Sequence, residues 1–195
     1  MGHEGQTNES QNDVFRICMG TCELYRKRVQ KVIFSLKHEH VYWPDKEERS
    51  KLSELNRVKY QCPNVILTAD GTLIQLAFEP QCADYSADCY GRKLQWSITM
   101  FIIGDDNCKI RYHLTEFPGS SHDNRVWKWS KIYKERRAFF SPLQCIIMDT
   151  AFEPCECMVP GTKRDKGTGN SDAQLFIHVI AKPRVRSEYL RAKAN

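Results

Sequence analysis

No apolar run in this chain of 195 residues approaches the roughly 20 that a membrane-spanning helix needs. The stretch Met1 to Asp13 is polar throughout, with no apolar core of the kind a secretory leader carries, and reads as a disordered lead. An intracellular, soluble protein is expected. No G-x-x-x-x-G-K-[ST] loop is present, which argues against a nucleotide-dependent phosphotransfer enzyme. Neither sign of charge is in large excess. A net +5 permits nucleic-acid binding without establishing it. No internal repeat is visible.

Cysteine is not scarce, at nine residues, but zinc spacing is lacking. Cys18/Cys22 and Cys155/Cys157 are close pairs without C-x-x-C spacing, and no His-x-x-x-His accompanies them. The odd count and the absence of a secretory signature point to nine free thiols.

A hydrophobic share of 41% is enough for one core, so the chain reads as one domain with a small extension. Residues 14–60 form a helical N-terminal region. Val14 to Lys37 carries Leu24, Val29, Val32, Ile33 and Leu36 at helical spacing, interrupted at Gly20-Thr21, with Thr21 as an N-cap. Arg26, Lys27, Arg28 and Lys31 suit either a remnant helix-turn-helix on DNA phosphates or a solvated face. Trp43-Pro44 ends that helix. A second spans Asp45 to Val58, with Leu52 and Leu55 inward.

Val65 to Phe78 organises the remainder. It opens as a buried strand, places Asp70 beside Gly71, and then alternates. Two readings stand for Asp70-Gly71: a hairpin turn, or a carboxylate set in a strand to bind a cation. Pro80 to Gly91 is expected as a loop, and Leu94 to Ile103 and Lys109 to Phe117 as an antiparallel hairpin around Gly104-Asp105-Asp106-Asn107. Asn124 to Tyr133 reads as a helix burying Val126, Trp129 and Ile132. Gln144 to Met148 is a short strand ending on Asp149. Residues 153–170 look irregular, Asp172 to Ala181 looks helical with a stop at Pro183, and a last helix from Arg184 to Lys193 carries Glu188. If the first and fourth strands are neighbours, Asp70 and Asp149 converge, and such hard oxygen ligands suit two divalent cations acting on a phosphodiester.

Ala69-Asp70-Gly71-Thr72-Leu73-Ile74, Tyr90-Gly91-Arg92-Lys93, Phe117 to Val126 with its P-G-x-x-H-D-x-R block, Met148 to Phe152, and Ala181 to Glu188 together resemble the Harbinger (PIF-type) transposases and nucleases derived from them. The likeness is strongest to fungal members and runs from about Asp13 to Tyr189. It implies an α/β, ribonuclease-H-like mixed sheet, three antiparallel strands then a parallel fourth, flanked by helices with a short N-terminal helical extension. The nuclease-like domain would be residues 61–195, clipped at its C-terminus, with the helical N-terminal part also shortened.

The resemblance further implies an Asp70, Asp149, Glu188 catalytic set holding Mg²⁺ or Mn²⁺, with Asp123 as a further ligand or, alternatively, a helix N-cap. His122 would be a polar neighbour of the metals or a loop histidine. Arg92, Lys93, Arg184 and Arg186 would touch DNA or solvent. DNA, a separate DNA-binding partner protein and a nuclear location complete what it implies. Met148 stands where the family usually has glycine, so a catalytically inactive relic that still binds metal, DNA or protein is the alternative to an active nuclease.

Overall fold

The computed structural model describes residues 18–81, 83–91, 94–161, 179–183, 185, 188, 189 and 192. The chain divides into two compact units, Met1–Val41 and Tyr42–Asn195. The described part of the first is helix α1, Met19–His40. Gly20 and Thr21 lie inside this helix rather than interrupting it. Cys18 is the N-cap, and its sulfur meets the Thr21 hydroxyl at 3.1 Å. No residue of α1 is buried.

The second unit opens with α2, Lys46–Tyr60, capped by Asp45, whose side chain accepts a 2.8 Å hydrogen bond from the Glu48 amide. Gln61, in the left-handed region, ends it. The buried stripe is Arg49, Leu52, Asn56 and Tyr60. Leu55, expected inward, is exposed. Asn56 takes the inward place because its amide donates to Val65 O at 2.9 Å and ties the helix to the first strand.

That strand, β1, runs unbroken from Val65 to Gln75. Asp70 and Gly71 are therefore not a turn, and both pair across the ladder, with Ile102 and Phe101. The predicted loop after it contains a short helix, α3 (Ala83–Cys89), anchored by buried Ser86 and Cys89 three residues apart. Strands β2 (Ser97–Gly104) and β3 (Ile110–Pro118) form the expected antiparallel hairpin.

Then come α4 (Asp123–Trp129), α5 (Lys131–Lys134) and α6 (Arg136–Phe139), and strand β4 (Cys145–Met148). Strand β5 (Met158–Pro160) lies in the segment expected to be irregular. Its three residues are too few to show a period, and it forms by pairing alongside β4.

The sheet order is β3-β2-β1-β4-β5. β1 is antiparallel to β2 and parallel to β4, which gives the ribonuclease-H-like mixed α/β arrangement. Alternation in β4 sends Ile146 and Met148 into the main core with Ile66, Phe101, Val126 and Trp127. Ile147 packs on the other face with Tyr60, Val65 and Ile180. Burial of β1 on both faces explains its continuous apolar opening.

Trp127, not Trp129, is the buried tryptophan of α4. The expected helix breaks at Ser130, whose hydroxyl accepts from the Tyr133 amide and restarts the chain as α5, so the helical period resets before Ile132. Pro183 is helical and so is Val185, so no stop appears at Pro183 among the described residues. The first part of the helix expected over 172–181 lies outside them. No helix among the described residues is long and apolar enough to cross a membrane.

Candidate active site

Asp70 sits midway along β1, half-buried, with its Oδ1 accepting a 2.8 Å hydrogen bond from the Gly71 amide. The parallel ladder pairs Thr68 with Ile147. Asp70 lies two residues beyond Thr68 in β1, and Asp149 two residues beyond Ile147 and directly after the end of β4.

Asp123 approaches β1 at Gly71, the next residue along from Asp70. It is the first residue of α4 rather than its cap, a position held by His122. A Cβ built on Gly71 would lie 2.7 Å from Asp123 Cγ and closer still to its Oδ1. The carboxylate therefore occupies the space that any larger residue at 71 would take, on the face of β1 opposite to the one Asp70 presents.

The loop preceding Asp123 is held by backbone. Glu116 has φ 81°, where β3 carries an extra residue opposite β2, and such a bulge re-aims the chain that follows. Gly119 donates to Ser97 O at 2.8 Å, and a Cβ there would fall 2.7 Å from that same oxygen, so glycine is required. The Thr99 hydroxyl donates to Pro118 O at 3.1 Å. Val126 and Trp127 then root α4 in the core. The P-G-x-x-H-D block is in this way a device for setting one carboxylate against β1.

His122 is exposed and helps line a cleft of about 490 Å³ beside this site, with Arg125, Lys128, Trp129, Ala151 and Glu153. Lys128 and Glu153 pair at 2.7 Å, and this bond holds the Glu153 carboxyl below its usual range and the Lys128 ammonium above its own. Trp129 is 57% exposed, with the Lys134 ammonium 4.3 Å from its ring centre.

Glu188 is helical and exposed. Among the described residues no three His, Cys, Asp or Glu side chains are grouped to hold a metal ion. Arg92, Lys93, Arg184 and Arg186 lie outside the described residues, so the phosphate contacts expected of them have no structural counterpart here.

A family model described as DDE superfamily endonuclease matches residues 69–192, well over half of the chain. The chain belongs to this family. No curated protein and no solved structure gave a match. The matched span begins one residue before Asp70 and encloses Asp123, Asp149 and Glu188. Endonucleases of the family generally use divalent metals. The donor chemistry fits: carboxylate oxygens are the ligands that Mg²⁺ and Mn²⁺ prefer, and Gly71 leaves room for one of them against the strand.

Sequence reasoning missed three residues here. The two readings of Asp70-Gly71, a turn or a cation-binding carboxylate in a strand, give Gly71 no role as a point of close approach, which a glycine inside an alternating strand signals. Trp129 was assigned to the core by helical spacing alone. Arg125 was seen only as part of a motif, and it lines the cleft.

Proposed function

We propose that this endonuclease cleaves or transfers DNA phosphodiesters with divalent cations held by Asp70, Asp149 and Glu188, with Asp123 as a further ligand. The observation that supports this best is that Asp70 lies within β1 and Asp149 directly follows β4, the strand that pairs with β1 in parallel, while Asp123 meets β1 at Gly71. Carboxylates brought together repel one another unless a cation intervenes. When bound, Mg²⁺ or Mn²⁺ supplies an activated water and a counter-charge for the leaving oxygen. The chain's own part is to hold the oxygens and the strand. Arg125 and Lys128 would meet phosphates, and Trp129 would stack on a base.

The P-G-x-x-H-D-x-R block supports a Harbinger (PIF-type) subtype, with DNA as substrate, a nuclear location and a separate DNA-binding partner protein. The helical region over residues 14–60 would be a remnant DNA-binding part. A second reading, a metal-binding relic without activity, draws on one observation: Glu188 joins no group of three ligands among the described residues.

Nicking of supercoiled plasmid with Mg²⁺ or Mn²⁺ tests the proposal. The wild type should nick, and Asp70→Asn and Asp149→Asn should each lose activity at least about 100-fold, the scale on which transition-state charge stabilisation acts. A wild type that binds Mn²⁺ but never nicks supports the relic. Undiminished nicking by Asp70→Asn defeats the assignment.

A further inference from the structure

The turn between β4 and β5 carries a second chemical feature. Cys155 and Cys157 place their sulfurs 3.6 Å apart. Two backbone bonds close the turn around them: the Met158 amide donates to Cys155 O at 3.0 Å, and the Cys155 amide to Met158 O at 3.3 Å. Cys155 is partly exposed and Cys157 is buried. Trp127 Nε1–H is buried with no hydrogen-bond partner, near enough to Cys155 to favour its thiolate. Arg136 adds positive charge. A cavity of about 290 Å³, lined by Arg136, Arg137, Gln144, Glu156 and Cys157 among others, reaches the Cys157 end of the pair.

From this geometry we infer that Cys155 and Cys157 are a reversible dithiol–disulfide pair, with Cys155 the attacking sulfur, Cys157 the resolving one, and an anionic low-molecular-weight disulfide the oxidant. The contact with the Cys157 sulfur, with positive charge from Arg136, lowers the Cys155 thiol below the ordinary range and favours the thiolate, the reacting form. The Cys155 thiolate attacks one sulfur of the oxidant. A mixed disulfide forms, the oxidant's S–S bond breaks, and one thiolate leaves. Cys157 then gives its proton to solvent or to that thiolate and attacks the Cys155 sulfur, releasing the second thiolate. The protein loses two hydrogens and the oxidant becomes two thiols. The sulfurs need only close from 3.6 Å to about 2 Å, and Arg136 and Arg137 suit the carboxylates of the incoming molecule.

The position gives the bond consequences. Cys157 O accepts from the Ile146 amide of β4 at 3.0 Å, and β4 leads to Asp149. Trp127 belongs to α4, which begins at Asp123. Oxidation removes the thiolate facing Trp127 and tightens the turn on β4, so it acts on the elements that carry both aspartates.

The test is incubation of the reduced full chain with oxidised glutathione at pH 7, acid quenching, alkylation and peptide mass measurement. In the wild type the peptide holding both cysteines should lose two hydrogens and regain them with dithiothreitol. Cys157→Ser should stop as the glutathione adduct on Cys155. Cys155→Ser should form no adduct at Cys157 on the same timescale. Two alkylated thiols at 155 and 157 in wild type, after exposed Cys18 has been modified, would overturn the inference. So would a glutathione adduct on wild-type Cys155 that is never resolved. Because the wild-type result decides, a variant that fails to fold leaves the inference testable.

Discussion

The carboxylate of Asp123 occupies the space in which residue 71 would carry its Cβ. These residues come from different elements, one mid-strand in β1 and one at the start of α4, and their contact sets the distance between helix and sheet at the candidate site.

Gly71→Ala should therefore cost more than a glycine-to-alanine change in a strand, which normally gains stability. Overpacking of this kind costs about 1–3 kcal/mol. Adding Asp123→Ala should recover most of the loss, because the clash is with that side chain. Urea denaturation of the two single variants and the double variant checks this. A Gly71→Ala protein as stable as wild type would show that Asp123 moves away at no cost.

Asp105 and Arg111 form a buried ion pair whose role is structural. Arg111 Nε donates to Asp105 Oδ2 at 2.9 Å, its NH2 donates to Glu48 Oε1 at 2.7 Å, and Asp105 is 2% exposed. Asp105 Oδ1 also accepts from the Asn107 and Lys109 amides at 3.0 Å each. Removing one partner strands a buried charge, so Asp105→Ala should destabilise by about 3–5 kcal/mol. Thermal and denaturant melts measure it, and a loss under 1 kcal/mol would contradict the structural role.

The β2–β3 hairpin and strand β4 were legible because apolar alternation and turn residues are local signals. Asp70 and Asp149 stood out in the sequence as carboxylates set in or after apolar segments, and Asp123 as part of a dense motif; the structure puts Asp70 mid-strand, Asp149 just past β4 and Asp123 at the start of α4. What stayed hidden was set by tertiary packing. Leu55 yields its inward place to Asn56, because only an amide can bond the Val65 carbonyl. Trp127 displaces Trp129 from the core, because Ser130 resets the helix. Asp105, in a sequence cluster that reads as an exposed turn, is buried by an arginine six residues away. β5 has no period of its own and exists because β4 offers it an edge.

Thiol reactivity should separate by pH. Cys155, lowered to about 6, should react with iodoacetamide at a rate that rises through pH 6 and levels above it, since the thiolate is the reacting form. Cys145, pushed up to about 11 by burial, should stay unreactive through pH 9. Peptide-level labelling over this range checks both. A Cys155 rate still climbing at pH 9 would show an ordinary thiol.

The cleft residues should affect DNA binding without affecting the fold. Trp129 and Arg125 are exposed, so truncating either should leave the melting temperature nearly unchanged. Arg125→Ala should weaken DNA binding and reduce the salt slope by about 1. Trp129→Ala should cost about 1–3 kcal/mol on single-stranded DNA if a base stacks there. Fluorescence anisotropy at several salt concentrations measures both, and wild-type affinity and slope in both variants would remove the cleft from the DNA path.

The most direct test of the proposed metal site is a thermal melt with and without Mn²⁺. Binding to the folded state alone stabilises by about 2.7 kcal/mol at a hundredfold excess over the dissociation constant. Wild type should gain this stability with Mn²⁺. Asp70→Ala and Asp149→Ala should gain none, while their metal-free forms melt at or above the wild-type temperature because a like-charge repulsion is gone. Equal Mn²⁺-induced shifts in wild type and Asp70→Ala at every concentration would contradict the account.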